Sequence, residues 1–300
     1  MAQLKVVVNK LNRRSGPVTD MSDKSNIEGT VSKGFVFESN FQITNQLGIW
    51  YADRDGYYYW GNGLVIINTS PPSLFNIKNL PVNLPPLCRI GIDVSHDNDI
   101  PDWSSIKNAG VSFTYIKISE GVGSPDNAAG GHANAAKQGG LKIGYYHFGH
   151  PDTRNGGTVI SDANAEADDA MSRMADIPKP DLPLVLDLED SPPWDTPLSP
   201  NDYLEWINTF ISRIQSTSGL DVMLYSRKSY LDVKLPNEHN LGKYKLWISN
   251  YSVTDCNKII CPVGWTDWAM WQYCENGNIA GNSNLDINIL KDPALAGIFS

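Results

Sequence analysis

The stretch LPLVLDLEDSPP, residues 182–193, places the two acids Asp187 and Glu189 two positions apart in an otherwise apolar run. Burying an ionised carboxylate is costly, so a pair at this spacing needs a structural explanation. In a β-strand, residues i and i+2 lie on one face, so both acids share a face while Leu186 and Leu188 point toward packing helices. Their backbones should lie about 6.6 Å apart, from two steps of roughly 3.3 Å, and both side chains can reach one small ligand.

Strand-like and helical runs alternate on both sides of this stretch. The strand-like runs are GIDVS, FTYIKISEG, KIGYYHFGH, LPLVLDLED, VMLYSR, KLWISNY, MWQY and LDINIL. Helical runs such as DWSSIKNAG, SDANAEADDAMSRMAD and SPNDYLEWINTFISRIQ separate the earlier ones. This alternation predicts a mostly parallel sheet with helices outside, closed over residues 88–300 into a βα (TIM-like) barrel. Several late strands have no helix between them, which predicts an irregular barrel.

The helix predicted after the quoted stretch has clear start signals. Ser199 is a candidate N-cap, Pro200 suits the first helical position and Asp202 falls in the first turn. One apolar face follows at helical spacing, formed by Leu204, Ile207, Phe210, Ile211 and Ile214.

Two further strands also carry acids. Asp93 in GIDVSHDN shares its strand face with Ser95, and Asp286 lies in NLDINIL near the end of the chain. The first, fourth and last recognisable strands therefore each bring an acid to a C-terminal end, where active sites of such barrels are built. Because the first and last strands of a closed barrel are neighbours, Asp93 and Asp286 should converge on the same site.

Carboxyl groups packed this closely support acid–base chemistry on sugars. Two neighbouring carboxylates cannot easily both ionise, so the pKa of one should rise until it keeps its proton near neutral pH. A glycosidase needs this arrangement, since one acid protonates the leaving oxygen while its neighbour supports the positive charge that develops at the sugar.

The order of short motifs resembles glycoside hydrolase family 25, the lysozyme or muramidase family that includes many phage endolysins. The motifs are GIDVSHDN (91–98), YIKISEG (115–121), IGYYHFGHP (143–151), LVLDLED (184–190), LWISNY (246–251), MWQY (270–273) and LDIN (285–288). The resemblance implies that Glu189 is the general acid/base and that Asp187 stabilises the oxocarbenium-like state or orients a 2-acetamido group. It also implies that Asp93 and Asp286 form the acidic floor. The bond cut would be the β-1,4 link between N-acetylmuramic acid and N-acetylglucosamine of bacterial peptidoglycan, with retention.

Other side chains at motif positions are expected to form the walls of sugar subsites. Aromatic rings offer flat apolar faces to sugar C–H groups, and their polar edges can bond hydroxyls. The expected substrate-binding residues are Lys117, Tyr146, Tyr225, Trp247, Tyr251, Trp271 and Gln272.

The first 70 residues differ from the rest. Short β-type runs are separated by turn residues, which predicts a small all-β barrel, and TSPPSLFNIKNLPVNLPP (69–86) indicates a Pro-rich linker over 71–87. The runs LNRRSGP, IEGTVSKGFVF and IWYADRDGYYYW resemble the bacterial SH3-like domain. Such a domain would bind the cell wall through an aromatic groove, or would only stabilise the enzyme. The groove candidates are Trp50, Tyr51, Tyr57, Tyr58, Tyr59 and Trp60.

Composition limits the partners. The formal net charge of -9 disfavours nucleic acid and anionic membranes, and no apolar run is long enough to insert into a bilayer. The five histidines show no metal-binding spacing, and no cofactor or metal is expected. The four cysteines lack zinc-site spacing, and are read either as free thiols or as including a disulfide between Cys256 and Cys261.

Two rival functions and the cellular location remain as expectations. A chitinase of the DxxDxDxE type is weakened because Leu182 and Val185 stand where acids would precede Asp187 and Glu189. A non-enzymatic glycan-binding module on a decayed hydrolase is weakened because all four acids remain. The start MAQLKVVVNKLNRRSGP lacks the apolar run of a secretory signal, so we expect the protein to stay in the cytoplasm until holin-type lysis or non-Sec export releases it. We also expect the protein to be a monomer.

Overall fold

The computed structural model describes residues 2–39, 41–53, 55–69, 81, 84–85, 88–191, 197–291 and 295. Nearly all of the predicted linker, 71–87, and the two prolines that end the stretch 182–193 lie outside these described residues. The division of the chain at residues 70 and 88 therefore stays a prediction.

The N-terminal region is all-β, as its short β-type runs separated by turn residues predicted. The strands are β1 (Ala2–Val6), β2 (Lys10–Arg14), β3 (Ile27–Ser32), β4 (Val36–Ser39), β5 (Phe41–Asn45), β6 (Gly48–Ala52), β7 (Tyr58–Trp60) and β8 (Leu64–Thr69). One antiparallel sheet has the strand order β4-β1-β8, and a second has the order β3-β2-β7-β6-β5. A 3₁₀ turn at Gly61–Gly63 separates β7 from β8.

The aromatic side chains of this region fill cores, which corrects the expected groove. Tyr51 and Tyr59 pack in a core of the N-terminal region, whereas Trp50 and Tyr58 belong to a larger apolar core that continues into the second region. All four are buried. The reason is that β6 and β7 set Tyr51 opposite Tyr59, and both rings pack with Leu4, Val6, Leu11 and Phe37. Of the six groove candidates, only Tyr57 and Trp60 are half-exposed.

The second region contains a closed barrel of eight strands. They are β9 (Arg89–Val94), β10 (Phe113–Glu120), β12 (Lys142–Phe148), β13 (Leu184–Asp187), β14 (Val222–Ser226), β15 (Leu246–Ser249), β16 (Met270–Ile279) and β17 (Asn282–Leu290). Neighbours pair in this order, and closure comes from pairing of β9 with both β10 and β17. A two-residue strand, β11 (Ser124–Pro125), extends the sheet beside β10.

Helices follow the earlier barrel strands, as predicted. They are α1 (Trp103–Asn108), α2 (Ala129–Gln138), α3 (Val159–Met174), α4 (Pro200–Ser218) and α5 (Lys228–Lys234), with 3₁₀ turns at Leu241–Lys243 and Cys256–Lys258. Helix α4 begins as expected, because the Ser199 hydroxyl accepts a hydrogen bond from the Asp202 amide at 3.2 Å. It ends at Gly219, whose φ of 69° suits a residue without a Cβ. Among the described residues, no helix has the length and apolar composition that crossing a bilayer requires.

One barrel strand runs against the others, which corrects the expected position of Asp286. The strand β17 pairs antiparallel with both β16 and β9, and its register sets Asp286 opposite Asp93. Asp286 therefore does not stand at the C-terminal end of its strand. It reaches the same edge as Asp93 because the direction of β17 is reversed.

The cysteines are free thiols in this structure. Cys88, Cys256, Cys261 and Cys274 are half-buried and form no disulfide, so the alternative of a Cys256–Cys261 disulfide does not hold. Burial raises the pKa of both the Cys88 and the Cys256 thiol to about 11, which keeps them protonated at neutral pH.

Candidate active site

A polar cavity of about 470 Å³ opens at the edge where the parallel strands end. Ten of the eleven residues predicted for the site line this cavity, including all four acids. Its lining comprises Asp93, Ser95, Asp97, Lys117, Tyr146, Phe148, Asp187, Glu189, Tyr225, Trp247, Tyr251, Gln272, Glu275 and Asp286.

Trp271 is the exception, and its expected role as a subsite wall needs correction. Side chains alternate along β16, so Gln272 faces the cavity while Trp271 faces the outer layer of the barrel. Trp271 is fully buried, lies 5.6 Å from the Tyr273 ring, and donates its Nε1 hydrogen bond to the Asn250 carbonyl at 2.8 Å. Trp271 therefore packs against other protein side chains and does not line the ligand cavity.

Asp93 is held by amide donors from two strands. Gln272 Nε2 donates to both carboxylate oxygens of Asp93, at 2.9 and 3.1 Å, and Asn288 Nδ2 donates to Oδ1 at 2.6 Å. Burial raises the pKa of Asp93, while these hydrogen bonds and one from Asp286 act in the opposite direction because they favour the ionised form. Asp93 is thus a buried carboxylate with its lone pairs occupied.

Asp286 carries the proton of the pair that it forms with Asp93. Burial, followed by the charge and hydrogen bond of Asp93, raises the pKa of Asp286 to about 9. At neutral pH, Asp286 can therefore donate a hydrogen bond to the Asp93 carboxylate, and the pair bears one negative charge rather than two.

A second layer orients the amides that hold Asp93. The hydroxyls of Tyr225 and Tyr251 donate to Gln272 Oε1 at 2.6 and 2.5 Å, which leaves the Gln272 amide nitrogen facing Asp93. The Trp247 Nε1 group donates to Asn288 Oδ1 at 2.8 Å and orients that amide in the same way. Gln272, expected to bind substrate, has both of its polar atoms engaged by protein groups.

The second pair, Asp187 and Glu189, has a different environment. Asp187 ends β13 and is 5% exposed, and its Oδ1 atom has no hydrogen-bond partner among the described residues. Burial, followed by the charge of Glu189, raises the pKa of Asp187 well above its ordinary value. Burial and then the charge of Asp93 raise the pKa of Glu189, which is half-exposed just beyond the strand. The pair therefore retains a proton more readily than free carboxyl groups do.

Lys117 is the cation among the described residues that line the cavity. Its charge lowers the pKa of both Asp187 and Glu189, although burial and neighbouring acids outweigh it. The cavity can therefore hold a proton on one carboxyl group and negative charge on others within reach of one ligand. This combination allows protonation of a leaving oxygen and stabilisation of a developing cation.

Five functional positions were not singled out from the sequence. Three of them line the cavity from places without a distinctive sequence pattern. Asp97 lies in a polar turn, Phe148 at the end of a strand and Glu275 in a late strand. Ser95 was recognised only as sharing a face with Asp93. Asn288 stands in the LDIN motif two positions after Asp286, and this i, i+2 spacing could have indicated that it faces the same site.

The closed barrel and its carboxyl-lined cavity define a glycoside hydrolase. A profile of Glycosyl hydrolases family 25 matches residues 92–282. The chain belongs to this family.

Individual relatives agree with this assignment. Lysozyme M1 of Streptomyces globisporus is 32% identical over 196 residues, which cover 64% of this chain and 64% of that protein's length. The crystal structure of a bacterial lysozyme from Streptomyces coelicolor superposes with a TM-score of 0.59 at 28% identity, covering 70% of this chain and 95% of that one. The CTP1L endolysin structure gives a TM-score of 0.57 at 25% identity, covering 70% of this chain and 69% of that one.

Proposed function

We propose that this protein is an N-acetylmuramidase, a lysozyme that hydrolyses the β-1,4 bond between N-acetylmuramic acid and N-acetylglucosamine in bacterial peptidoglycan. The observation that carries the proposal is the gathering of Asp93, Asp187, Glu189 and Asp286 in one sugar-sized cavity. The similarity to a lysozyme from each of two Streptomyces species supports this choice of substrate. The barrel is proposed to be an irregular member of the TIM-like βα class.

Glu189 is assigned as the general acid and then the general base. It lies beyond the end of β13 and is more accessible than Asp187, so its proton can reach a bridging oxygen between two sugars. Its raised pKa favours the protonated form that this step requires. After the leaving sugar departs, the Glu189 carboxylate removes a proton from the attacking water.

Asp187 is assigned to the charge that develops on the other sugar. Asp187 lines the cavity, where its carboxylate can accept a hydrogen bond from a 2-acetamido N–H or approach the anomeric carbon. The first route makes the acetamido oxygen the attacking group and the second makes Asp187 the nucleophile. Both proceed with retention, which is the stereochemical outcome that we propose.

The remaining lining side chains are assigned to substrate binding. Tyr146, Tyr225 and Trp247 form the deeper wall, and Tyr251, which is 45% exposed, lies nearer to solvent. Their rings can pack against sugar C–H faces. Lys117 supplies a donor to hydroxyl or carboxylate groups of the substrate.

Digestion of purified sacculi tests this function. The wild-type protein should release soluble fragments with new reducing ends on N-acetylmuramic acid, detected by mass spectrometry after borohydride reduction. Borodeuteride reduction should label muramitol rather than glucosaminitol. Release of amide-cleavage products alone, or equal turnover of chitin oligomers, would contradict the proposal.

The N-terminal region is proposed to be an SH3-like module that binds the cell wall. With most of its aromatic rings buried, the surface candidates are the exposed Phe35, stacked on Phe37 at 6.1 Å, and Tyr57, which lies 3.5 Å beneath the Arg13 guanidinium. Because Trp50 and Tyr58 share a core with the barrel, surface variants test this role better than deletion of residues 1–70 does. Phe35→Ser with Tyr57→Ser should reduce pull-down by sacculi and spare hydrolysis of soluble fragments; unchanged pull-down would favour a purely stabilising role.

We further propose that the protein acts as a monomeric endolysin, with bacterial peptidoglycan as its partner. The similarity to the CTP1L endolysin supports this role. In such a role the enzyme accumulates in the cytoplasm and reaches the wall after holin-type lysis or non-Sec export. Expression in a bacterial host should cause lysis only when a holin is co-expressed, and light scattering after size-exclusion chromatography should give the mass of one chain.

A further inference from the structure

A half-exposed carboxylate, that of Glu120, lies behind the Lys117 wall of the cavity. Lys117 Nζ donates to Glu120 Oε2 at 2.7 Å, and both residues lie on β10. Lys117 lines the cavity, whereas Glu120 lines a separate cavity of about 320 Å³ on its far side. Glu120 is thus one step removed from the substrate site.

The other oxygen of Glu120 contacts a histidine that reaches the loop after Glu189. His150 Nε2 lies 3.1 Å from Glu120 Oε1 and 3.0 Å from the hydroxyl of Ser191, which is two residues beyond Glu189. The two oxygens of one carboxylate therefore contact Lys117 on one side and His150 on the other. This carboxylate connects the cavity wall to the segment that carries the general acid.

The histidine itself is held in place by buried groups. The backbone amide of His150 donates to Glu166 Oε2 at 3.1 Å, and the same oxygen lies 2.8 Å from His147 Nε2. Both Glu166 and His147 are buried. Gly121 has a φ of 51°, and a Cβ at that position would lie 3.3 Å from His150 Nδ1, so the backbone is also closely fitted to the ring.

We propose that Glu120 is a positioning residue of the glycosidase site. One carboxylate oxygen of Glu120 holds Lys117 on the cavity wall. The other oxygen holds the loop after Glu189 through His150 and Ser191. The inference rests on the proposed function and deepens it. Glu120 is not assigned any contact with substrate.

The charge of Glu120 also acts on the catalytic pair. Burial raises the pKa of Glu120, but the hydrogen bond and charge of Lys117, with those of His150, outweigh burial and lower it, so Glu120 is ionised at neutral pH. Its negative charge helps to raise the pKa of Asp187, while the positive charge of Lys117 acts in the opposite direction. The charged groups that shift the pKa of Asp187 or Glu189 include Lys117, Glu120, Asp93, Asp190 and Arg227, and the carboxyl groups of Asp97, Glu275 and Asp286 line the same cavity.

Glu120→Gln tests this role, because the neutral amide keeps the shape and removes the charge. The Lys117 charge is then uncompensated, so the catalytic pair should lose its proton more easily. We expect the alkaline limb of the kcat/KM profile to move to lower pH. Turnover at the wild-type optimum should fall about 10-fold, because the loop that carries Glu189 is less well fixed.

A matched control and a double-mutant cycle separate positioning from general damage. Asp168→Asn removes a surface carboxylate paired with Arg213 and should leave the pH profile unchanged. In a Lys117→Met background, Glu120→Gln should shift the profile less than it does in the wild type, because Glu120 acts partly through Lys117. Additive effects, or an unshifted alkaline limb in folded Glu120→Gln, would overturn the inference.

The wild-type protein distinguishes failure of the inference from failure of the proposed function. If wild-type protein does not cleave glycan strands at all, the proposed function is wrong. If it cleaves them and Glu120→Gln keeps the wild-type profile, only the positioning role is wrong. Circular dichroism melting of each variant identifies losses that come from unfolding.

Discussion

The two carboxyl pairs of the cavity differ in how the protein satisfies them. Asp93 receives hydrogen bonds from Gln272, Asn288 and Asp286, and hydroxyl and indole groups orient those amides. Asp187 is similarly buried, yet its Oδ1 has no partner among the described residues. The Asp93–Asp286 pair therefore has its hydrogen-bond partners within the protein. The Asp187–Glu189 pair keeps a buried acceptor, Asp187 Oδ1, that has no partner among the described residues.

The difference indicates how such a site divides structural and chemical roles. A buried acceptor without a partner costs roughly 1–3 kcal/mol, and this cost falls on the pair that must react. The neighbouring pair, which bears a shared proton and several donors, provides a fixed negative wall at smaller cost. The contrast predicts that changes to the Asp93–Asp286 pair affect stability, whereas changes to the Asp187–Glu189 pair mainly affect turnover.

The largest effect is expected at Glu189. Glu189→Gln removes the transferable proton and keeps the shape, so kcat should fall by at least about 10³-fold. The melting temperature should change little, since Glu189 is half-exposed and is not part of the Asp93 hydrogen-bond network. Kinetics on soluble glycan fragments together with calorimetry measure both quantities. A variant with more than a tenth of wild-type turnover would remove Glu189 from its assigned role.

Asp93→Asn should damage the structure as well as activity. The new amide nitrogen would face the donors of Gln272 or Asn288, leaving buried N–H groups unpaired. We expect a loss of about 2 kcal/mol in the free energy of unfolding, or roughly 4–8 °C in Tm. Urea unfolding measures the loss, with Asp97→Asn at the cavity rim as the control. Wild-type stability in Asp93→Asn would show that the two pairs do not differ as described.

Asp187→Asn should have the opposite effect on stability. The folded-state pKa of Asp187 is raised above its unfolded value, so the charged form destabilises the fold once the pH exceeds the unfolded pKa near 3.9. The variant should therefore gain roughly 1 kcal/mol at pH 7 and little at pH 4, while turnover falls sharply. Unfolding at the two pH values tests this, and a gain independent of pH would contradict the assigned cause.

The smallest effect is expected at Tyr251. Tyr251→Phe removes one of the two hydroxyls on Gln272 Oε1, and the Tyr225 hydroxyl still orients that amide. We expect a loss of about 0.5–1 kcal/mol in stability and about threefold in kcat/KM. Combining it with Tyr225→Phe should give more than the sum of the single losses, because Gln272 is then free to rotate. Strict additivity would indicate that the hydroxyls do not share this task.

Local patterns predicted much of the fold and placed most of the site. The N-cap, first-turn proline and apolar face of α4 were readable because a helix start depends on neighbouring residues. The period-two spacing of Asp187 and Glu189 predicted their common face for the same reason. Tyr146, Tyr225 and Trp247 reached the cavity because motif position indicates which strand end a side chain occupies.

The errors arose where direction or packing depends on distant residues. Motif position did not reveal that Trp271 faces outward while Gln272 faces inward. Alternation along β17 did not reveal that the strand is reversed, and aromatic richness in residues 50–60 did not reveal burial. In each case the answer depends on what packs against the segment.

Local patterns along the chain were enough to predict the class of fold, the all-β character of the first region and the identity of the acids, because strand alternation, helix signals and motif order follow the covalent chain. Which buried acid has all of its hydrogen bonds made, and which does not, depends on three-dimensional packing. The amides that hold Asp93 come from positions 179 and 195 residues away, so their meeting depends on closure of the barrel.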